Sequence, residues 1–166
     1  MEKYVLSLLV ENNFGVLSRI AGLFARRGFN IDSLTVGKTE NQKISRMTIT
    51  VTGDQQVLEQ IIKQLNKLIE VIKIVELTPK DSVNRELVFI KVKADNHTRC
   101  DIIAISNIFR ANIIDISPNT LILQITGDED KIEALMEMLS PFGILEFIRS
   151  GITGLQRGDK VIHLSK

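Results

Sequence analysis

A chain of 166 residues, 44% hydrophobic and 25% charged, has the makeup of a soluble globular protein with one ordinary domain or two small ones. Its 21 basic and 20 acidic residues leave a net charge of +1, without the positive excess that nucleic-acid binding uses. No apolar run approaches the ~20 residues of a membrane span. No signal-peptide pattern opens the chain, and Cys100 has no second cysteine to pair with, as expected for a reducing compartment and no membrane.

In chain order, Tyr4–Val10 predicts a strand that is apolar on both faces. Leu17, Ile20, Ala21 and Phe24 fall on one face of a helix, which Arg27-Gly28 closes. Ile31–Val36 predicts a short strand. Met47, Ile49 and Val51 alternate with Arg46, Thr48, Thr50 and Thr52 in a half-buried one. Asp54 is placed as the N-cap of a second helix, whose stripe is Leu58, Ile61, Ile62, Leu65 and Leu68. Val71–Leu77 predicts the last strand of this half.

The second half repeats the order. Glu86–Ala94 predicts a strand, and Ile102, Ile105 and Phe109 a helix. Ile113–Ile116 and Leu121–Thr126 predict strands joined by the turn Ser117-Pro118-Asn119. Ile132, Leu135, Met136 and Leu139 mark a helix, and Ile144–Ile148 a final strand. Val51-Thr52-Gly53-Asp54 matches Ile125-Thr126-Gly127-Asp128, and Ile20…Phe24 matches Ile105…Phe109. Two copies of one βαββαβ unit are expected: an α+β chain of two ferredoxin-like domains. The boundaries read as 1–78, a linker at 79–84 (PKDSVN) and 85–166. A sheet that is apolar on both faces, with helices on one, should bury the other against a partner, so a homodimer or an edge-to-edge paired sheet is expected.

The junction Glu11-Asn12-Asn13-Phe14-Gly15 sits between the first strand and the first helix. Helix N-termini offer unpaired N–H groups and partial positive charge, which suit a carboxylate, and glycine permits close approach. Asn12 or Asn13 can instead be a helix cap, and the spacing leaves both readings open. Counting back from Phe109, the place of Gly15 is held by Cys100, and Arg27–Asp32 is matched by Arg110–Asp115 without glycine. On that count the glycines of the first copy serve a local purpose there.

The segments Glu11-Asn12…Gly15-Val16-Leu17-Ser18-Arg19 and Leu23–Val36 (LFARRGFNIDSLTV) resemble the ACT domain of acetolactate (acetohydroxyacid) synthase small subunits. So do Ser45–Thr48 and the stretch from Glu59 to Leu68. Arg85–Val92 and Arg149-Ser150-Gly151…Gly154-Leu155…Arg157-Gly158 are similar to that family's C-terminal domain. Ala111 departs from the glycine expected after Phe-Arg. The resemblance implies a non-catalytic regulatory chain. It would bind and activate a catalytic large subunit, a transferase carrying thiamine diphosphate, Mg²⁺ and FAD. That enzyme joins pyruvate to pyruvate or 2-oxobutanoate on the way to valine, leucine and isoleucine, and the small subunit makes it sensitive to L-valine. The resemblance places Asn12 and Asn30 at the amino acid, with Asn30 reaching across a homodimer interface between ACT domains. Backbone N–H groups from Gly15 to Leu17 would take the carboxylate, and Val16, Leu17 and Ile31 would shape the apolar part. No metal ligand and no catalytic residue are expected. The family's setting implies bacterial cytoplasm or plastid stroma.

Rival readings are weaker. Asp95, His97, Cys100 and Asp101 form one short polar stretch without the spacing of a metal or nucleophile site. Gly151-Ile152-Thr153-Gly154 lacks the Lys-Ser/Thr of a phosphate loop. RNA-binding domains share βαββαβ, but they stack bases on strand aromatics, and Ser45–Thr52 has none. An ACT sensor serving another enzyme is the remaining alternative.

Overall fold

The computed structural model describes residues 1–162. Its strands are β1 (Glu2–Glu11), β2 (Ser33–Lys38), β3 (Ile44–Gly53), β4 (Val71–Glu76), β5 (Ser82–Lys93), β6 (Asn112–Ser117), β7 (Thr120–Gly127), β8 (Ile144–Arg149) and β9 (Thr153–Gln156). Its helices are α1 (Val16–Arg27), α2 (Gln55–Leu65), α3 (Arg99–Phe109) and α4 (Glu129–Leu139), with a 3₁₀ turn at Ser140–Phe142. The two sheets run β2-β3-β1-β4 and β6-β7-β5-β8, antiparallel throughout. This is the α+β, twice ferredoxin-like architecture read from the sequence. The chain divides into two compact units, one of Met1–Asn84 together with the segment from Ile152 onward, the other Arg85–Gly151.

In the first unit, Leu6, Leu8 and Val10 of β1 and Met47, Ile49 and Val51 of β3 meet Ile20, Leu23, Phe24, Leu58, Ile61 and Leu65 from the helices. The equivalent core of the second unit is Val88, Ile90, Val92, Leu121, Leu123 and Ile125 against Ile102, Ile105, Ile132, Leu135 and Leu139. Both second helices begin at the predicted aspartates. Asp54 accepts the N–H of Val57 at 2.9 Å, and Asp128 that of Lys131 at 3.1 Å. Asp54→Ala is expected to cost ~1 kcal/mol, read as a lower urea midpoint at unchanged slope.

Three features differ from the sequence expectations. Residues 79–84 hold the start of a strand, since β5 opens at Ser82, and the segment from Ile152 belongs with the first unit. There β9 pairs with β5. Gly154 makes that pairing possible: a Cβ on it would stand 2.9 Å from the Val83 carbonyl oxygen and overlap the Asn84 side chain. Arg157 fastens the ribbon, with its N–H to the Asp81 carbonyl at 2.7 Å and its Nε to the Ser82 carbonyl at 2.9 Å.

The second difference concerns the sheet face without helices. In the first unit Val5, Ser7 and Leu9 of β1 and Thr48 and Thr50 of β3 are all buried. The returning segment lies on this side. Thr35 Oγ1 donates to the Ile152 carbonyl at 3.0 Å, Thr153 adjoins Thr35 and Thr48, and Val161 and Ile162 adjoin Leu9 and Arg46. The apolar second face of β1 is therefore covered within the unit, without a second chain.

The third difference concerns the glycines. Gly28 ends α1 at φ +71, and the equivalent position in the second copy is Arg110, at φ +55. Both copies need a left-handed residue there. Gly28 is thus a requirement of the fold, satisfied in the second copy by a strained arginine. Because Arg110 supplies the turn, Ala111 is free to be buried without being glycine.

Candidate functional site

Gly15 is the N-cap of α1 at φ +84, and no side chain caps this end. The first-turn N–H groups of a helix have no intrahelical acceptor; here the Val16 N–H turns back to the Asn13 carbonyl at 3.4 Å, and the next N–H groups, of Leu17 and Ser18, are the open donors. The second copy handles the same position differently. There Thr98, at φ −95, precedes α3, and Cys100 lies inside that helix, not at its cap. Asp95 Oδ1 accepts the N–H groups of His97 and Thr98, each at 2.9 Å. Those bonds, the Thr98 N–H foremost, hold the Asp95 carboxyl below the ordinary carboxylate range. One copy thus fills its strand-to-helix loop with its own carboxylate. The other leaves the loop open behind a left-handed glycine.

The asparagines do not cap. Asn12 Nδ2 donates to the Gln42 carbonyl at 2.8 Å, and the Asn12 N–H donates to the Lys43 carbonyl at 2.8 Å. Asn13 Nδ2 donates to Glu11 Oε2 at 2.8 Å. The Glu11 N–H donates to the Glu70 carbonyl at 2.9 Å, and Arg19 on α1 pairs with the Glu70 carboxylate. The loop is therefore held between the β2–β3 connection and the α2–β4 connection. Sequence reading missed Gln42, Lys43 and Glu70 as its supports. All three act through backbone carbonyls, which carry no side-chain signal, and Glu70 adds its carboxylate.

The expected site residues separate into two groups. Asn12, Gly15, Val16 and Leu17 cluster at the N-terminus of α1. Val16 is buried in the core, so its side chain is spent on packing, while Leu17 is partly exposed. Asn30 and Ile31 follow the other end of α1, ~18 Å away for 12 residues at ~1.5 Å each. Asn30 Nδ2 donates to Asp32 Oδ1 at 2.8 Å, and Ile31 packs on the core margin. A single chain does not bring the two groups together.

Two ferredoxin-like units in tandem, the first with a left-handed glycine at the start of its first helix and the second with the loop before its first helix closed by Asp95, define the class of chain: a tandem ferredoxin-like α+β protein. A family model described as an AHAS small subunit-like ACT domain matches residues 6–73, and one described as the small subunit of acetolactate synthase matches residues 85–158. The chain belongs to the acetolactate synthase small-subunit family. It is 53% identical over 158 residues to a probable acetolactate synthase small subunit of Archaeoglobus fulgidus, across 95% of this chain and 99% of that one. It is 54% identical over 163 residues to the acetolactate synthase small subunit of Mycobacterium bovis, across 98% and 97%. The crystal structure of the Thermotoga maritima acetolactate synthase small subunit superposes with a TM-score of 0.88 at 41% identity, covering 96% of this chain and 100% of that chain. No described helix is long and apolar enough to cross a membrane.

Proposed function

We propose that this chain activates the catalytic large subunit of an acetolactate synthase, a thiamine diphosphate enzyme that also carries Mg²⁺ and FAD, and makes it sensitive to L-valine bound at the Gly15 loop. The observation that carries this reading is the uncapped N-terminus of α1 behind Gly15. An α-amino acid needs donors for its carboxylate, an acceptor for its ammonium and an apolar wall. The helix start supplies the donors. The amide oxygen of Asn12 is the candidate acceptor, and Leu17 the wall.

A homodimer joined through its ACT domains completes the site. In the order β2-β3-β1-β4, β1 and β2 both run antiparallel to β3, so they point the same way. The Ser33 end of edge strand β2 therefore lies opposite the Gly15 end of the unit. Antiparallel pairing of two β2 edges about a two-fold axis would carry Asn30 and Ile31 of one copy to the Gly15 loop of the other. Valine would then favour one dimer arrangement, which is a route to inhibition of the catalytic subunit.

Calorimetric titration of L-valine, with leucine and alanine as controls, tests the reading on the isolated chain and on its complex with the large subunit. Saturable binding that is tightest for valine is expected. Each methylene discriminates by about 1–3 kcal/mol, so leucine should bind more weakly without being excluded. Absence of binding to both samples at millimolar valine would sink the sensor reading.

A further inference from the structure

Two asparagines of the first unit have their amides locked the same way round. Asn30 Nδ2 donates to Asp32 Oδ1, and Asn12 Nδ2 donates to the Gln42 carbonyl, each at 2.8 Å. An ionised carboxylate and a backbone carbonyl only accept hydrogen bonds, so neither amide can turn its NH₂ end outward without losing its bond. Each side chain therefore offers its carbonyl oxygen, Oδ1, as the end open to a ligand. Among the described residues neither oxygen accepts a hydrogen bond.

The Asn30 amide is anchored back to the sheet. Asp32, directly before β2, donates its N–H to the Thr50 carbonyl at 2.9 Å, and its second carboxylate oxygen, Oδ2, accepts from Thr52 Oγ1 of β3 at 2.7 Å. Hydrogen bonds thus run from an interior strand through one carboxylate to the asparagine. Both side chains that donate to the carboxylate are neutral, and no lysine or arginine forms an ion pair with it among the described residues. Its negative charge stays uncompensated beside the amide it holds.

An ammonium carries three donors and a positive charge, a hydroxyl one donor and no charge, and a keto oxygen no donor at all. Two outward amide oxygens, one of them next to a carboxylate, suit the first of these groups. From this we infer that Asp32, held by Thr52, is a positioning residue for ligand selection: it fixes the Asn30 oxygen outward and makes the site choose an α-ammonium, hence an amino acid over the 2-hydroxy or 2-oxo acid of the same shape. The inference rests on the proposed valine site, in which Asn30 of one copy meets Asn12 and the Gly15 loop of the other.

Calorimetric titration of the full-length chain, alone and with the large subunit, tests it with two ligands: L-valine and its 2-hydroxy analogue. They share the carboxylate and the branched side chain, so the ratio of their affinities isolates the ammonium. The native chain should favour valine by at least ~100-fold, because the hydroxyl keeps a donor but loses the charge. Asp32→Asn removes the negative charge and lets the Asn30 amide turn either way, since its new partner both donates and accepts. That ratio should fall at least ~ten-fold, through weaker valine binding. Thr52→Val keeps the charge and releases one anchor, so its ratio should lie between the two. Asn30, Asp32 and Thr52 are all exposed, so the fold should hold, as thermal unfolding would verify. A purely structural role for Asp32 would weaken both ligands alike. An unchanged ratio in Asp32→Asn therefore overturns the inference, and so does a native chain that binds both ligands equally. Either result leaves the sensor reading standing, whereas a native chain that binds no valine, alone or in the complex, removes both.

Discussion

Replacing Gly15 with aspartate is expected to abolish valine binding while leaving the chain folded. A Cβ on Gly15 meets nothing within 4 Å, so there is no clash. The backbone at φ +84 disfavours a side chain by ~1 kcal/mol, and aspartate is among the residues that tolerate it best. A carboxylate beside the bare α1 N-terminus returns about 0.5–1 kcal/mol through the helix dipole and the orphan N–H groups. The two terms nearly cancel, and the melting temperature should move by no more than a few degrees. The same carboxylate occupies the donors proposed for the ligand and repels an incoming anion. Affinity should fall at least ~100-fold, about 2.7 kcal/mol. Gly15→Ala isolates the backbone effect, since it imposes the strained φ without charge, and should lose far less. Calorimetry on the three proteins, with inhibition of the reconstituted enzyme beside it, checks the order native, alanine, aspartate. Equal inhibition in native and Gly15→Asp would remove the loop from the mechanism.

Arg149→Leu is expected to destabilise the second unit by ~3 kcal/mol. Glu86 on β5 is only 4% exposed, and its carboxylate is gripped by Arg149 on β8, whose Nε donates to Oε2 at 2.9 Å while an Nη bonds Oε1. That grip, above all the hydrogen bonding to Glu86, also raises the guanidinium pKa. Removing the arginine leaves a buried carboxylate with no cation. The loss sits at the lower end of the range for broken buried pairs because Arg149 is itself partly solvated. Removing both charges with Glu86→Leu/Arg149→Leu should recover most of it, because no unpaired ion then remains. Urea unfolding of the single and double variants measures the difference. A single variant as stable as the native chain would show that water reaches Glu86.

Local pattern made much of this legible. The 3.6-residue stripes of α1, α2 and α4 and the alternation in β3 each specify one buried face, and those faces form the two cores. Asp54 and Asp128 cap their helices because the cap bond spans only three residues. The strand β9 was not legible. Thr153-Gly154-Leu155-Gln156 has little strand character, and it is ordered by the backbone of Ser82–Asn84, about seventy residues earlier. The function of the two α1 glycines was half legible. Counting positions treated them alike, whereas Gly28 has a left-handed counterpart at Arg110 and Gly15 has none.

The sequence by itself determined the repeated βαββαβ order, the placement of the glycine loop at the first helix start and the family to which the chain belongs, because each is written in residues close together along the chain. Only the tertiary structure decided that Asn12 is tied to the β2–β3 connection, that the Asn30 end of α1 stands ~18 Å from Gly15 by helix rise, and that one sheet face is covered while its counterpart is open. These outcomes depend on which distant segment comes to lie on a surface, and periodicity records that a surface is apolar but not what covers it.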